Sequence, residues 1–251
     1  MEDSIDVIGR GEPFHLNVSD VHVWQTSLRP DGSRLSRLRA LLSSEERARA
    51  QRFAVEDGRL RFIAAHGTLR TIVSRYVRER PATLTFITGR HGKPALAGPR
   101  GSVAAVRFNL THSHEIALIA IARSREVGVD IERIRDDVES LQLAERFFSR
   151  SEFERLRHLP ADQAHRLFFS LWTSREAYLK AIGIGLSLGL DRCEVLPDPE
   201  QLVARVRCSG WSEPHEDCLI RTLPLGPEYV GAVAAEGEDW RVIYRQWPEE
   251  G

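Results

Sequence analysis

Apolar residues recur along this chain with two different periods, and the changes between them mark out its elements. Residues 22–28 alternate apolar and polar positions, the two-residue repeat of a strand. Ser43 and Glu46 are three apart, as a reciprocal capping pair requires, so a helix opens after Ser43. Helical spacing runs to about Phe53, resumes over residues 57–77 and is closed by Pro81. Residues 84–88 read as a short strand, and His91-Gly92-Lys93-Pro94 as a turn. Residues 107–111, 116–122 and 127–131 read as three successive strands with short links. Ser149 and Glu152 repeat the capping spacing and start a helix to about Leu159. The longest helical pattern covers residues 162–182, with Leu167, Leu171, Ser174 and Tyr178 in one stripe widened by Phe168, Trp172 and Leu179. Gly183 and Gly185 stop it, because glycine accepts the left-handed conformation at a helix end. Strands follow near Glu194, Ala204, Leu219, Tyr229 and Trp240, while the first ten or so residues read as a loose tail.

Strand, helices and then several strands thus appear twice. Strands that follow one another through short links favour an α+β fold over a doubly wound parallel sheet. The expected architecture is a pseudo-twofold arrangement of two similar α/β subdomains, each a small, mostly antiparallel sheet packed on helices. The join falls near Ser124, giving subdomains 1–124 and 125–251. The length suffices for two modest cores.

Charge changes this picture little. Lysine and arginine number 35 against 36 aspartate and glutamate, and the pI is about 6.8. That balance argues against a nucleic-acid binder, whose affinity rests on a strongly basic surface. Arginines do crowd residues 34–80, a solvated helix face or an anion-binding surface. Three cysteines, Cys193, Cys208 and Cys218, form no CxxC pair and read as reduced thiols of a cytoplasmic protein. No signal peptide is visible, and no apolar run approaches the length that spans a bilayer.

The chemistry gathers at a split set of carboxylates. Asp130 and Glu132, in Val127-Gly128-Val129-Asp130-Ile131-Glu132, are two apart on a strand and share a face. Taken alone, they read as the polar outer face of a half-exposed strand. Gly128 on that face clears space for a ligand. Paired carboxylates repel, so a cation between them relieves a cost. Glu176 and Lys180 are four apart on the long helix, a spacing common in solvent-exposed ion pairs. Trp172 and Tyr178 nearby point instead to a partly covered place, and Arg175 adds a second cation. Three carboxylates suit magnesium, which keeps waters and shares substrate phosphates. Phe108-Asn109-Leu110-Thr111-His112-Ser113 brings a hydroxyl and an imidazole to a strand end, and Lys93 offers a point charge in a tight turn. No HExxH, zinc-spaced Cys/His cluster, Walker loop, GxGxxG after a strand or GxSxG elbow is present.

An ordered series of motifs then points to one family. LSSEERARAQRF (42–53), HGKPAL (91–96), FNLTHS (108–113), VGVDIER (127–133), RFFSRSEF (146–153) and LWTSREAYLKAIGIGLSLGL (171–190) follow one another over roughly residues 22–235. In these the chain resembles the 4′-phosphopantetheinyl transferases of the larger, surfactin-synthetase-activating type. The resemblance implies two similar halves with the active site between them. It also implies a reaction, in which the phosphopantetheine arm of coenzyme A passes to a serine of an apo acyl or peptidyl carrier protein, leaving adenosine 3′,5′-bisphosphate. Carriers of fatty-acid, polyketide and peptide synthases are all open.

On this resemblance Asp130, Glu132 and Glu176 would hold Mg²⁺, with Mn²⁺ a possible substitute. Glu176 and Lys180 would act in catalysis, and Thr111 and His112 would contact phosphate oxygens. Lys93 would lie near the adenine and phosphate end, Arg61 and Arg49 would bind coenzyme A, and Arg175 and Lys180 would add charge. Glu46 stands where relatives often carry a lysine, so the 3′-phosphate contact is either weaker or made by another arginine. Residues 183–188 are equally a buried loop or a docking segment for the carrier. The first subdomain is the expected coenzyme A side, the second the metal and carrier side, and the enzyme is expected to be a monomer. Two other readings remain: a Mg²⁺-dependent hydrolase of the coenzyme A pyrophosphate that uses the same carboxylates, and a non-catalytic carrier- or RNA-binding protein on the same scaffold that uses the arginines of residues 34–80.

Overall fold

The computed structural model of the protein describes residues 14–89, 92–98, 104–184, 193–198, 203–208 and 218–248. Of the segment 183–188, only Gly183 and Ile184 fall among them; His91 and Gly185 lie outside. The chain divides into two compact units, one of Met1–Ile87, Pro94–Ser124 and Arg241–Gly251, the other of Thr88–Lys93 and Arg125–Trp240. One boundary between the units falls after Ser124. The final strand groups with the first unit, and residues 88–93 group with the second.

The first unit is built on β1 (Asp20–Ser27), helices α1 (Gly32–Leu41), α2 (Ser44–Gln51) and α3 (Glu56–Val77), then β4 (Val106–Ser113), β5 (Ile116–Arg123) and β11 (Arg241–Gln246). Its sheet has the order β11-β1-β5-β4, with β1 antiparallel to β5 and parallel to β11. A two-stranded ribbon, β2 (Phe86–Thr88) with β3 (Pro94–Leu96), lies beside it in sequence. Alternation places Trp24, Phe108, Ile119 and Ile121 in one core with Leu69, Ile72 and Val73 of α3. Gly67 lets α3 lie against α1, since a Cβ there would come within 2.6 Å of the Leu38 Cβ. The capping box read from the sequence is formed: the Ser43 hydroxyl accepts from the Glu46 backbone N–H, and Glu46 accepts from that of Ser43.

The second unit is an antiparallel sheet, β6 (Val127–Arg133), β10 (Tyr229–Glu236), β9 (Cys218–Thr222), β8 (Val203–Cys208) and β7 (Cys193–Asp198), in that order. Helix α6 (Ala161–Ile182) packs on it, flanked by α4 (Ser140–Phe147) and α5 (Arg150–Arg157). Its core joins Phe168, Ala177 and Ala181 of α6 to Val230, Ala232 and Ala234 of β10. Gly183 ends α6 with φ 77°, its N–H bonded to the Leu179 carbonyl, the glycine cap expected. Both units are therefore α+β. Among the described residues no helix is long and apolar enough to cross a membrane.

The reading of three reduced thiols needs correction. Cys218 is a free, buried thiol, but Cys193 is disulfide-bonded. The antiparallel register sets Cys193 opposite Cys208, a juxtaposition that no CxxC spacing announces.

Candidate active site

Strand β6 and helix α6 build the site. Gly128, Asp130 and Glu132 alternate onto one face of β6, beside Ala234, Ala232 and Val230 of β10. That face is covered by α6. A Cβ on residue 128 would lie 2.1 Å from the Ala177 carbonyl oxygen and 2.3 Å from the Ala181 nitrogen. Gly128 thus clears room for a helix backbone, not for a ligand, and the face read as polar and half-exposed is buried at Gly128 and Asp130 and half-buried at Glu132. Asp130 is only 4% exposed.

This close approach brings the two sequence-distant groups together. The Lys180 ammonium donates to Asp130 Oδ1 at 2.5 Å. Glu176, one turn earlier and half-buried, lies in the field of the strand acids. Burial is the main cause that raises its pKa above the usual carboxylate value, and the charge of Asp130 adds to it. Lys180 and Arg175 pull the other way, and Glu132 adds a smaller push upward. Its Oε1 is buried and has no hydrogen-bond partner among the described residues.

Three carboxylates offer hard oxygen donors, and a buried, unpartnered carboxylate oxygen is what a bound cation would satisfy. In kind, then, Asp130, Glu132 and Glu176 fit Mg²⁺. As arranged they do not form a closed cage, since among the described residues no three His, Cys, Asp or Glu side chains converge as a metal site. Lys180 supplies the positive charge at Asp130 instead.

Arg175 is not a substrate-facing cation. Its side chain is fully buried, and its Nη2 donates to both carboxylate oxygens of Glu152 at 2.8 and 2.7 Å. Its Nε donates to the Cys193 carbonyl at 2.7 Å, and the guanidinium lies 4.3 Å from the Phe148 ring centroid. Glu152 also accepts from the backbone N–H groups of Val195 and Ser149. An i, i+1 pair on a helix points its members about 100° apart, which is why Arg175 turns inward while Glu176 does not. The capping spacing revealed Glu152 as a helix cap; nothing in the sequence marked it as the partner of a buried arginine.

Lys93 is likewise engaged within the second unit. Its ammonium donates to Glu126 at 2.7 Å and to the Ala181 carbonyl at 2.8 Å. Thr111 and His112 lie on β4 of the first unit, but not side by side: successive strand residues point to opposite faces, and Thr111 is buried while His112 is exposed. Arg49 stacks over Phe62 at 5.3 Å, and Arg61 pairs with Asp57 at 2.6 Å.

Glu46, the departure noted in the sequence, is a structural anion. Beyond its cap it accepts from Arg70 Nε at 2.7 Å, and His66 Nδ1 lies 3.5 Å away. Burial pushes its pKa up, but hydrogen bonds from His66, Arg70 and the Ser43 N–H, with the charge of Arg70, outweigh that and hold it at about 2. The folded pKa lies below the unfolded value, so this stability is present above pH about 4.5 and is lost as pH falls toward 2. A drop of this size corresponds to about 3 kcal/mol. Denaturation melts between those pH values are expected to show a steeper loss in the wild type than in Glu46→Gln. Parallel pH profiles would remove the anchor role.

Comparison with known proteins matches this division of the chain. The family described as the 4′-phosphopantetheinyl transferase superfamily matches residues 126–234, and that described as 4′-phosphopantetheinyl transferase, N-terminal, matches residues 26–124. The 4′-phosphopantetheinyl transferase HetI of Nostoc sp. (strain PCC 7120) is 38% identical over 222 residues, covering 88% of this chain and 90% of that protein. The 4′-phosphopantetheinyl transferase Sfp of Bacillus subtilis (strain 168) is 29% identical over 204 residues, covering 81% of this chain and 86% of its own.

Proposed function

Because the chain belongs to the 4′-phosphopantetheinyl transferase superfamily, we propose that it moves the phosphopantetheine arm of coenzyme A onto a serine of an apo carrier protein. The observation that carries this reading is the meeting of Lys180 with Asp130, under a Glu176 whose pKa is raised. Serine oxygen attacks phosphorus, the pyrophosphate P–O bond breaks, and adenosine 3′,5′-bisphosphate leaves. A proton must leave the serine, and negative charge grows on the departing phosphate.

Glu176 is the group to accept that proton. A carboxylate with a raised pKa is a better base than an ordinary one. Lys180 carries the matching positive charge and can neutralise or protonate the leaving group. Asp130 keeps Lys180 in place before substrate arrives. Asp130, Glu132 and Glu176 would hold Mg²⁺, which when bound supplies Lewis-acid stabilisation of phosphate oxygens. Arg49, Arg61, Thr111 and His112 are the candidates for coenzyme A contacts on the first unit. The reading places the enzyme in the cytoplasm, where coenzyme A meets newly made carrier proteins.

The test is mass spectrometry of several apo carriers, from fatty-acid, polyketide and peptide synthases, after incubation with coenzyme A and Mg²⁺. A gain of one phosphopantetheine arm on the carrier serine is expected. EDTA should abolish the gain, and Mg²⁺ or Mn²⁺ should restore it. Bisphosphate released without any carrier would identify a hydrolase instead, and unchanged carriers would overturn the transfer reading.

A further inference from the structure

At one end an ammonium ties together the two elements that carry the acids and the lysine. Lys93 Nζ reaches the Ala181 carbonyl in the last turn of α6 and the carboxylate of Glu126, the residue before β6. Its stem runs past the helix cap, where a Cβ on Gly183 would lie 3.6 Å from Lys93 Cδ. The last carbonyls of a helix have no intrahelical partner. Here the N–H groups of Gly183 and Ile184 both bond to the Leu179 carbonyl, and Lys93 takes that of Ala181. A cation at this end also opposes the negative pole of the helix dipole. Glu126 is tied in turn to β10, for its carbonyl accepts from the Glu236 N–H.

We propose that Lys93 is a positioning residue: it holds the C-terminal turn of α6 against the head of β6 and so fixes Glu176 and Lys180 relative to Asp130 and Glu132. The proposal rests on the transfer reading above, and departs from the expectation that Lys93 lies near the adenine and phosphate end. A lysine with its ammonium on Glu126 and a helix carbonyl acts on the reaction through the helix. Most of the hold lies in the Ala181 contact. Glu126 is 43% exposed, and a surface ion pair contributes little.

The test separates positioning from contact with coenzyme A. Lys93→Met should lower kcat for carrier modification by roughly ten- to a hundredfold, the cost of a small misplacement, and leave KM for coenzyme A within about twofold. Lys93→Arg, which can still donate to the carbonyl, should recover most of kcat. Glu126→Gln should lower kcat by less, and its effect should shrink in the Lys93→Met background. A large rise in KM for coenzyme A at constant kcat would overturn the proposal, as would strict additivity of the two substitutions. Hydrogen exchange supplies a reading independent of transfer. The amides of Gly183 and Ile184 should exchange faster in Lys93→Met than in wild type, and equal rates would also overturn it. If wild type modifies no carrier, the transfer reading fails while the exchange comparison still decides whether Lys93 secures the helix. Should Lys93→Met not fold, Lys93→Arg and Glu126→Gln carry the same kinetic and exchange comparisons.

Discussion

Replacing Glu176 with glutamine lowers transfer by roughly a hundred- to ten-thousandfold, the range set by removing a positioned general base. The fold survives, and its stability holds or rises slightly. Burial and the charge of Asp130 raise the carboxyl pKa of Glu176, so the folded protein disfavours the charged form. A neutral amide of nearly the same shape removes that cost. Lost transfer with an unchanged or higher Tm therefore distinguishes chemistry from misfolding. Coenzyme A binding, measured by calorimetry without Mg²⁺, should persist in this variant, because the contacts assigned to Arg49, Arg61, Thr111 and His112 lie on the other unit. Wild-type turnover by Glu176→Gln would remove Glu176 from the mechanism.

What the sequence made legible were the elements with strong periodicity or explicit caps. Both capping boxes formed where Ser43 and Ser149 placed them, and the two long helices end where the patterns end. Helix α1 escaped notice because only Arg34 and Leu38 of its ten residues are buried, leaving no apolar stripe to read. Helix α4 escaped because it is eight residues long and lacks a side-chain cap. The return of β11 to pair in parallel with β1 is a long-range contact with no local signal.

In the candidate site, spacing showed which side chains share a face better than what covers that face. The i, i+2 spacing gave the shared face of Asp130 and Glu132, and Lys180 does reach Asp130. The face itself was misread, because a strand covered by a helix on its polar side alternates just as an exposed one does. Gly128 was the clue: a glycine in a strand interior marks close backbone approach, and here the approaching backbone is α6. Charged residues were harder still. Arg175 and Lys93 resemble substrate contacts in the sequence and Glu46 a lost one, and each is instead tied to a carbonyl or a counter-charge of the fold. Burial decides between those uses, and one sequence does not display it.

The largest effect on stability is expected at Glu152. It is 1% exposed, and it accepts from Arg175, Val195 and Ser149 at once. Glu152→Ala leaves the Arg175 guanidinium buried without its counter-charge, a loss that costs about 3–5 kcal/mol in such pairs. For a protein of this size that lowers Tm by about 10 °C. Glu152→Leu combined with Arg175→Met should be less damaging than Glu152→Ala alone, since neither charge is then left in the core. The same pair tests what Arg175 is for. If it is a core residue, Arg175→Met lowers Tm while KM for coenzyme A stays near wild type. A raised KM with unchanged Tm would return Arg175 to the substrate. Arg175 also precedes Glu176 on the same turn of α6, so the ion pair that anchors this helix to α5 and β7 holds the backbone from which the proposed base projects. Loosening it should therefore reduce kcat in proportion to the stability lost, with the double replacement recovering part of both.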